Sequence, residues 1–318
     1  MQKLKKNTMP TIQVSLLLAL ILMAITVTAG CATYDDRDPR PPKLSLPEFS
    51  NAGMIKKIAL SLFDNRTQLR FEEIEQSFIL PLNHRIKDRC SDIALYTPYD
   101  SGFPESLIEA TLTTEKGTID NIGISKAGRT MGLSAVITGR LDNISGFERE
   151  KGFWLFKENQ HYEKIMIRVA MYDVETGAKF LSDTYSRELE ISDTEFKALA
   201  RGTVENSPIA MEAFKDLAEE IADDICEILD DTPWIGFVTQ VDDRTVTLSS
   251  GAEAGLKPGK KLELYSSNKM LDNPNGNLFF VPGIKSGEIE ITQVTPNSAR
   301  ARLLPGSTAE PGYAVRFR

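Results

Sequence analysis

The stretch KIMIRVAMYDVETGAKFLSDTYSREL, residues 164–189, decides how the central part of this chain folds. Two runs rich in strand-forming residues, 164–172 and 179–189, flank the turn sequence Asp173-Val174-Glu175-Thr176-Gly177. A glycine in such a turn accepts the positive φ that other residues avoid. The stretch therefore predicts a long antiparallel hairpin with its turn completed by Gly177.

The segments before and after this hairpin alternate between strand and helix patterns. The run 58–63 is apolar and ends in Asp64-Asn65-Arg66, which predicts a buried strand. Residues 71–86 show an apolar stripe at helical spacing, interrupted by Pro81, which should bend the helix. The stripe consists of Phe71, Ile74, Phe78, Leu82 and Ile86; further strands are predicted at 93–96 and 135–141, and helices at 124–131 and 209–229. Residues 55–231 are thus predicted to form a mixed α/β sheet domain of the α+β class.

Residues 233–318 read as a second unit, beginning after Asp230-Asp231-Thr232-Pro233. Six short alternating runs predict strands that close into a small SH3-like β-barrel. These runs are residues 234–241, 245–249, 261–265, 288–294, 299–304 and 313–317.

Two loops of this unit contain residue types that also occur in phosphate-binding or calcium-binding loops. The glycine-rich segment 251–259 is interpreted as a turn at a barrel corner, because no helix with a lysine–serine or lysine–threonine pair follows it as in a phosphate-binding loop. The segment 272–277 lacks the twelfth-position glutamate of the usual calcium loop. It is interpreted as a long hairpin turn.

The N-terminus has the pattern of an export signal. Lys3, Lys5 and Lys6 precede an apolar run at 14–27, and small residues follow up to Gly30. This run is shorter than the roughly 20 residues of a membrane-spanning helix. We therefore expect residues 1–30 to be a cleaved signal peptide, and residues 31–54, which contain four prolines, to be a tether.

The residues Thr28-Ala29-Gly30-Cys31 resemble the lipobox of bacterial lipoproteins. The resemblance implies cleavage before Cys31, lipidation (including palmitate) of that cysteine, and anchorage to a membrane. Ala32 is not the aspartate that keeps lipoproteins in the inner membrane of the best-known Gram-negative systems, so an outer-membrane protein with its folded part in the periplasm is expected. The alternative is an ordinary secretion signal that happens to contain a cysteine.

Composition and charge argue against several classes of function. The chain has 37 basic and 45 acidic residues, and removing residues 1–30 with their three lysines leaves 34 against 45, or about −11. Nucleic acid is therefore an unsuitable partner. His84 and His161 have no Cys or His neighbour at metal-ligand spacing, so no metal and no cofactor is expected. Ser249-Ser250 lacks the strand–serine–helix context of a nucleophile, and we expect a protein that is not an enzyme.

Three segments of the first domain resemble blocks shared by the curli secretion channel, TolB N-terminal and flagellar assembly protein T families. They are residues 57–65, 131–139 and 169–177. The resemblance implies a place in an envelope machine, as a scaffold or assembly factor around a flagellar or secretory apparatus. The curli channel family has two hairpins that build a transmembrane barrel. Here only residues 143–162 could supply one, and 144–152 are too short and too charged to alternate well.

These observations leave three hypotheses. The first is a non-enzymatic scaffold that meets envelope-machine proteins or further copies of itself. The second is an oligomeric secretion-channel component resembling the curli exporter, and the third is a hydrolase.

Two further groups of residues are predicted sites. Cys90 and Cys226 each lie at the edge of a helical apolar stripe, so they could form a disulfide in an oxidising compartment; two buried free thiols are the alternative. Phe153-Trp154-Leu155-Phe156 is an apolar run between charged segments, which predicts an interaction surface. The alternatives are a tip that folds back onto the domain, or one that touches the membrane.

Overall fold

A computed structural model describes residues 53–112, 119–153, 156–202, 208–272 and 278–317. The predicted signal peptide, Cys31 and nearly all of the tether lie outside these residues. The described residues belong to one compact unit that contains both a mixed α/β part and a closed β-barrel. No helix among them is long and apolar enough to cross a bilayer.

The α/β part is built on a seven-stranded mixed sheet. Its first strand, β1, lies between β3 and β4 and is parallel to both, while β6 is antiparallel to β4, β5 and β7. The strands are β1 (Lys56–Leu60), β2 (Asp64–Asn65), β3 (Ile93–Tyr96), β4 (Leu133–Leu141), β5 (Ser145–Phe153), β6 (Phe156–Asp173) and β7 (Lys179–Ile191). The predicted hairpin is confirmed as β6 and β7, with Gly177 at φ +73°.

Helices cover both faces of this sheet. One face carries α1 (Phe71–Ile74), a π-helical turn (Glu75–Ile79), α2 (Leu80–Arg89) and the long α6 (Pro208–Asp230). The other face carries α3 (Glu105–Thr111) and α4 (Asn121–Met131), and α5 (Asp193–Ala200) follows β7. Alternation within β1 directs Ile58 and Leu60 to one face and Ala59 to the other, and all three are buried.

The first helical segment departs from its predicted form in two ways. Pro81 is preceded by the π-helical turn, whose wider spacing accommodates a residue without an amide hydrogen. Phe71 belongs to the predicted apolar stripe, but 49% of it is exposed. It is the first residue of α1, ahead of the turn at which Ile74 enters the core.

The main core joins α2 and α6 to the sheet. Phe78 and Phe214 meet edge to face with ring centroids 6.4 Å apart, and both are fully buried. At the end of α2, Cys90 forms a disulfide with Cys226 of α6, with the two Cα atoms 5.3 Å apart. The bridge therefore links two helices that already pack side by side on one sheet face.

All six strands predicted for the C-terminal part are confirmed, and they form a closed barrel in the order β10, β13, β14, β9, β8, β15. Segment 251–259 contains a single 3₁₀ turn (Ala252–Ala254) before β10. Residues 273–277 lie outside the described part, between two short antiparallel strands. The strands are β8 (Gly236–Asp242), β9 (Thr245–Leu248), β10 (Lys261–Ser266), β11 (Met270–Asp272), β12 (Leu278–Phe280), β13 (Ile284–Val294), β14 (Ala299–Leu303) and β15 (Ala314–Arg316).

The barrel packs against the α/β part around a buried arginine of α4. Arg129 is 6% exposed and donates through Nη2 to the Ser267 carbonyl (3.0 Å) and through Nη1 to the Gly312 carbonyl (3.2 Å). It also donates to the carbonyl of Glu175 in the β6–β7 turn, and its guanidinium lies 4.0 Å from the ring centre of Phe280. One cation thus connects a helix, the hairpin turn and the barrel.

A buried ion pair lies in the same junction. The Glu175 carboxylate, 5% exposed, bonds to Arg316 of β15. Burial raises the pKa of Glu175, and burial lowers the pKa of Arg129. Gly132, in the left-handed conformation at the end of α4, lies so close to the barrel that a Cβ there would be 2.5 Å from the Ser249 carbonyl. Side chains and backbone are therefore closely fitted where the barrel meets the sheet.

Candidate interaction site

The hairpin of β5 and β6 extends past the rest of the sheet. Strand β7 pairs with β6 from His161 onward, whereas β5 continues to pair with it as far as Phe153 opposite Phe156. Residues 149–153 and 156–160 thus form a ribbon with no third strand among the described residues, and we call this ribbon the arm. The arm is longer than the sequence predicted. Residues 144–152 are too short in the sequence pattern for a barrel strand and the next strand is predicted only from residue 164, whereas β5 has nine residues and β6 runs unbroken for eighteen.

Aromatic and charged side chains support the arm where it leaves the sheet. Phe147 and Tyr162 are stacked with ring centroids 5.5 Å apart, and the Arg149 guanidinium lies about equally near both rings, at 5.3 and 5.0 Å. Arg149 also forms an ion pair with Glu188 of β7 at 2.7 Å. A two-stranded ribbon alone is only marginally stable in water. These contacts therefore stabilise the base of the arm and orient it relative to the sheet.

Farther out, the arm carries solvated charges. Lys157 pairs with Glu150 at 2.6 Å, and Lys151 lies 3.9 Å from Glu190. Each exposed ion pair of this kind contributes little to stability. Opposite charges across the strand pair nevertheless avoid the repulsion that like charges would cause in so charged a strand. Phe153 and Phe156 form the last described pair of the arm. Trp154, Leu155 and the side chains of both phenylalanines lie outside the described residues.

A short helix supports the other side of the arm's base. Ser192 and Glu195 cap the start of α5 reciprocally, and Phe196 of α5 stacks on His161 with ring centroids 4.4 Å apart. Gly146 of β5 makes this packing possible, since a Cβ there would lie 2.9 Å from the Phe196 ring. The arm is therefore held between β7 and α5.

A buried carboxylate lies within this base. Glu163 is 2% exposed, and its Oε1 has no hydrogen-bond partner among the described residues. Burial, with a smaller contribution from the Glu195 carboxylate, raises the pKa of Glu163 from 4.5 to about 6. Sequence reasoning missed this residue. The signal was present, because Glu163 shares the inward alternation of Ile165 and Ile167.

Replacing Glu163 by glutamine is expected to stabilise the protein at pH 7 by about 1–2 kcal/mol. The folded protein holds this proton more tightly than the unfolded chain does, so the stability contributed by protonated Glu163 is fully present below about pH 4.5 and is lost as pH rises through about 6. The variant should lack that loss. Urea unfolding between pH 4 and 8 measures it, with Glu158→Gln on the exposed arm as the matched control. Parallel pH curves for wild type and Glu163→Gln would disprove the assignment.

A cleft of about 1000 Å³ lies on the face of the sheet turned away from α2 and α6. Asp64 pairs with Arg66 at 2.9 Å, and Asp142 pairs with Arg168 at 2.8 Å. The cleft is a mildly basic polar surface, and several of its charged side chains are paired. Its charged lining consists of Arg66, Arg140, Arg168, Lys179, Asp64 and Asp183.

The histidines and the serine pair that the sequence analysis rejected as chemical sites lie in different elements of the fold. His84 is exposed on α2 and lies 3.0 Å from Asp88, whereas His161 lies at the base of the arm and stacks on Phe196. The Ser249 hydroxyl is buried in the barrel, where it accepts a hydrogen bond from the Phe237 amide at 3.2 Å. Among the described residues, no group of three or more His, Cys, Asp or Glu side chains could hold a metal ion.

Comparisons with known proteins give partial structural likenesses. No protein-family profile matches the chain, and no curated protein matches it. Among solved structures, a hypothetical protein from Chlamydia trachomatis superposes with a TM-score of 0.33 at 10% identity, over 56% of this chain and 97% of that one. A minor lipoprotein from Acinetobacter baumannii gives 0.27 at 10% identity, over 55% and 94%. A lipoprotein from Neisseria meningitidis gives 0.23 at 11% identity, over 55% and 99%.

Proposed function

We propose that this protein is a non-enzymatic lipoprotein, anchored by Cys31 to the outer membrane, that acts from the periplasm as a scaffold or assembly factor for a flagellar or secretory apparatus. The observation that carries the proposal is the arm, a ribbon that projects past the sheet and ends in the sequence Phe153-Trp154-Leu155-Phe156. A charged ribbon whose end sequence is rich in aromatic residues is suited to anchor a neighbour.

The proposal includes the finer fold assignment, a TolB N-terminal or curli-channel-like sheet followed by an SH3-like barrel. The three sequence blocks that suggested it fall on β1 with β2, on β4, and on β6 with its turn. Strands β1, β4 and β6 are consecutive in the sheet. The blocks thus form one structural unit, which supports a common origin for the resemblance.

Changing Cys31 to serine is expected to move the protein from the membrane fraction to the soluble periplasmic fraction. A single thioether-linked diacylglycerol with a further acyl chain binds membranes stably, and the hydroxyl of serine cannot receive it. Fractionation of cells with metabolic lipid labelling measures this change. Ala32→Ser, which keeps the cysteine, should behave as wild type, and Ala32→Asp should shift the protein to the inner membrane. Membrane retention of Cys31→Ser would contradict the lipid anchor.

Changing Trp154 and Phe156 together to serine is expected to abolish assembly while leaving the melting temperature unchanged. Truncating one central aromatic residue of an interface often costs about 2 kcal/mol or more, which corresponds to a loss of affinity of roughly thirtyfold. Light scattering of the lipidated protein in detergent reports its assembly size, and calorimetry reports its melting temperature. Lys151→Ser with Lys157→Ser, on the same arm, is the matched control.

The other outcomes distinguish the competing functions. A lower melting temperature would show that the tip folds back onto the domain, and weaker binding of unlipidated protein to vesicles would show that it touches lipid. A ring with a membrane-spanning collar in electron micrographs would favour the secretion-channel component. That function is less favoured, because the described part of the region after β7 contains α5 where the curli family has its second hairpin.

A further inference from the structure

Strand β7 forms one edge of the sheet over its whole length. It has thirteen residues and pairs through twelve of them with β6. Among the described residues, no second strand pairs with it. Apart from a bond from the Arg187 side chain to the Ser186 carbonyl, no hydrogen bond from elsewhere reaches its outer main-chain groups in the described part of the chain.

A free edge of this length is unusual in a soluble domain. Edges are commonly blunted by short strands, by charged side chains, by proline, or by bulges that turn the strand away. The charged residues of β7 are of both signs, so a second copy of the same strand can match them. The sequence of β7 contains no proline, and its register shift lies near one end, at Met171 and Tyr172 of the partner strand. Its unpaired main-chain groups are therefore a template for another strand.

We infer that β7 pairs with β7 of a second copy of this chain, antiparallel and about a two-fold axis through Tyr185. This residue is the midpoint of the strand, so the arrangement pairs β7 along its whole length. In it, Asp183 lies opposite Arg187 of the second copy, and the symmetry repeats the pair. Leu181 likewise lies opposite Leu189. Opposite charges and apolar residues directly across a strand pair stabilise it.

Neighbouring registers lose this complementarity. Residues directly opposite each other in an antiparallel pair point to the same face of the sheet. A two-fold axis relating two β7 strands must therefore pass through a residue and not between two residues, and other registers shift the axis by whole residues along β7. One step in either direction places Arg187 opposite Leu181 or Tyr185. Two steps place Asp183 opposite itself, or Arg187 opposite itself. The register with the longest overlap is therefore also the one whose charges match.

The surroundings of the edge determine how strong the pairing is. Asp183 is exposed and has no ion pair among the described residues, so it is available to a second copy. Arg187 already contacts Glu220 of α6 at 2.5 Å, and the Tyr185 hydroxyl donates to Asp224 at 2.9 Å. These α6 carboxylates of the two copies repel each other across the axis. A concentration-dependent dimer is the expected form.

Register-specific cross-linking of the full chain in detergent tests this inference. Thr184 and Ser186 are exposed and lie opposite each other across the proposed axis. Their Cβ atoms would be about 5 Å apart, whereas like residues would be diagonal, at about 7–8 Å. A mixture of Thr184→Cys and Ser186→Cys chains should therefore form a covalent dimer under mild oxidation, and neither variant alone should do so. No cross-link in the mixture above the level of the single variants would overturn the pairing.

A charge-reversal series provides an independent measurement by sedimentation equilibrium. Asp183→Arg should weaken dimerisation by roughly tenfold or more, because it places like charges opposite each other twice. Adding Arg187→Asp to that variant should restore it. Equal association of all three proteins would contradict the register. Cross-linking that persists in the Trp154 and Phe156 double-serine variant would separate this surface from the arm of the proposed function.

Discussion

Breaking the disulfide between Cys90 and Cys226 is expected to lower the free energy of unfolding by up to about 5 kcal/mol. The two cysteines are 136 residues apart in sequence. A cross-link that closes so long a loop restricts the unfolded chain strongly, in the chain-entropy account. Both residues are buried between α2 and α6, so the folded packing holds them together with or without the bond. The loss should therefore arise mainly in the unfolded state.

Urea unfolding of the oxidised and reduced protein measures this effect. Reductant should lower the midpoint of the wild type to a value close to that of the Cys90→Ala and Cys226→Ala double variant, and should not affect the double variant. The small difference in midpoint between the reduced wild type and the double variant measures the change in packing that alanine introduces. The larger difference between oxidised and reduced wild type measures the effect of the bond. Cys31→Ser, which leaves the bridge intact, is the matched control. Equal midpoints for oxidised and reduced wild type would contradict the prediction.

Replacing Arg129 by alanine is expected to destabilise the protein by about 3–5 kcal/mol. The substitution removes the donor from carbonyls of the hairpin turn and the barrel, including those of Ser267 and Gly312. These acceptors are enclosed in the junction and would lose a charged donor together. It also deprives the buried Glu175 carboxylate of a nearby cation, since Arg129 helps to stabilise its ionised form.

Thermal and urea unfolding of this variant give the magnitude. Lys126→Ala is the matched control, because Lys126 lies one turn earlier on α4 and is exposed. A surface change of that kind should stay within about 0.5 kcal/mol of the wild type. If Arg129→Ala were as mild as Lys126→Ala, the junction would not depend on the buried cation. Hydrogen exchange would show whether the barrel and the sheet then open separately.

The local patterns of the sequence predicted most elements of the fold. The hairpin at 164–189, the helix at 209–229 and all six barrel strands lie where alternation or helical spacing placed them. These elements bury one continuous face, so their periodicity is strong within a short window. The arm was underestimated, because β5 is held by cross-strand charge pairs and aromatic stacking at its base, and not by an apolar face.

The sequence by itself determined most of the strands and helices, the Cys31 lipidation motif and the apolar run at 153–156, because each depends on residues that are neighbours in the chain. The tertiary structure alone decided which remote residues meet. Arg129 reaches a carbonyl 183 residues away, and β7 is an edge because of the strand order. The partners of a buried charge and the exposure of an edge are consequences of how distant segments pack, and no local pattern contains them.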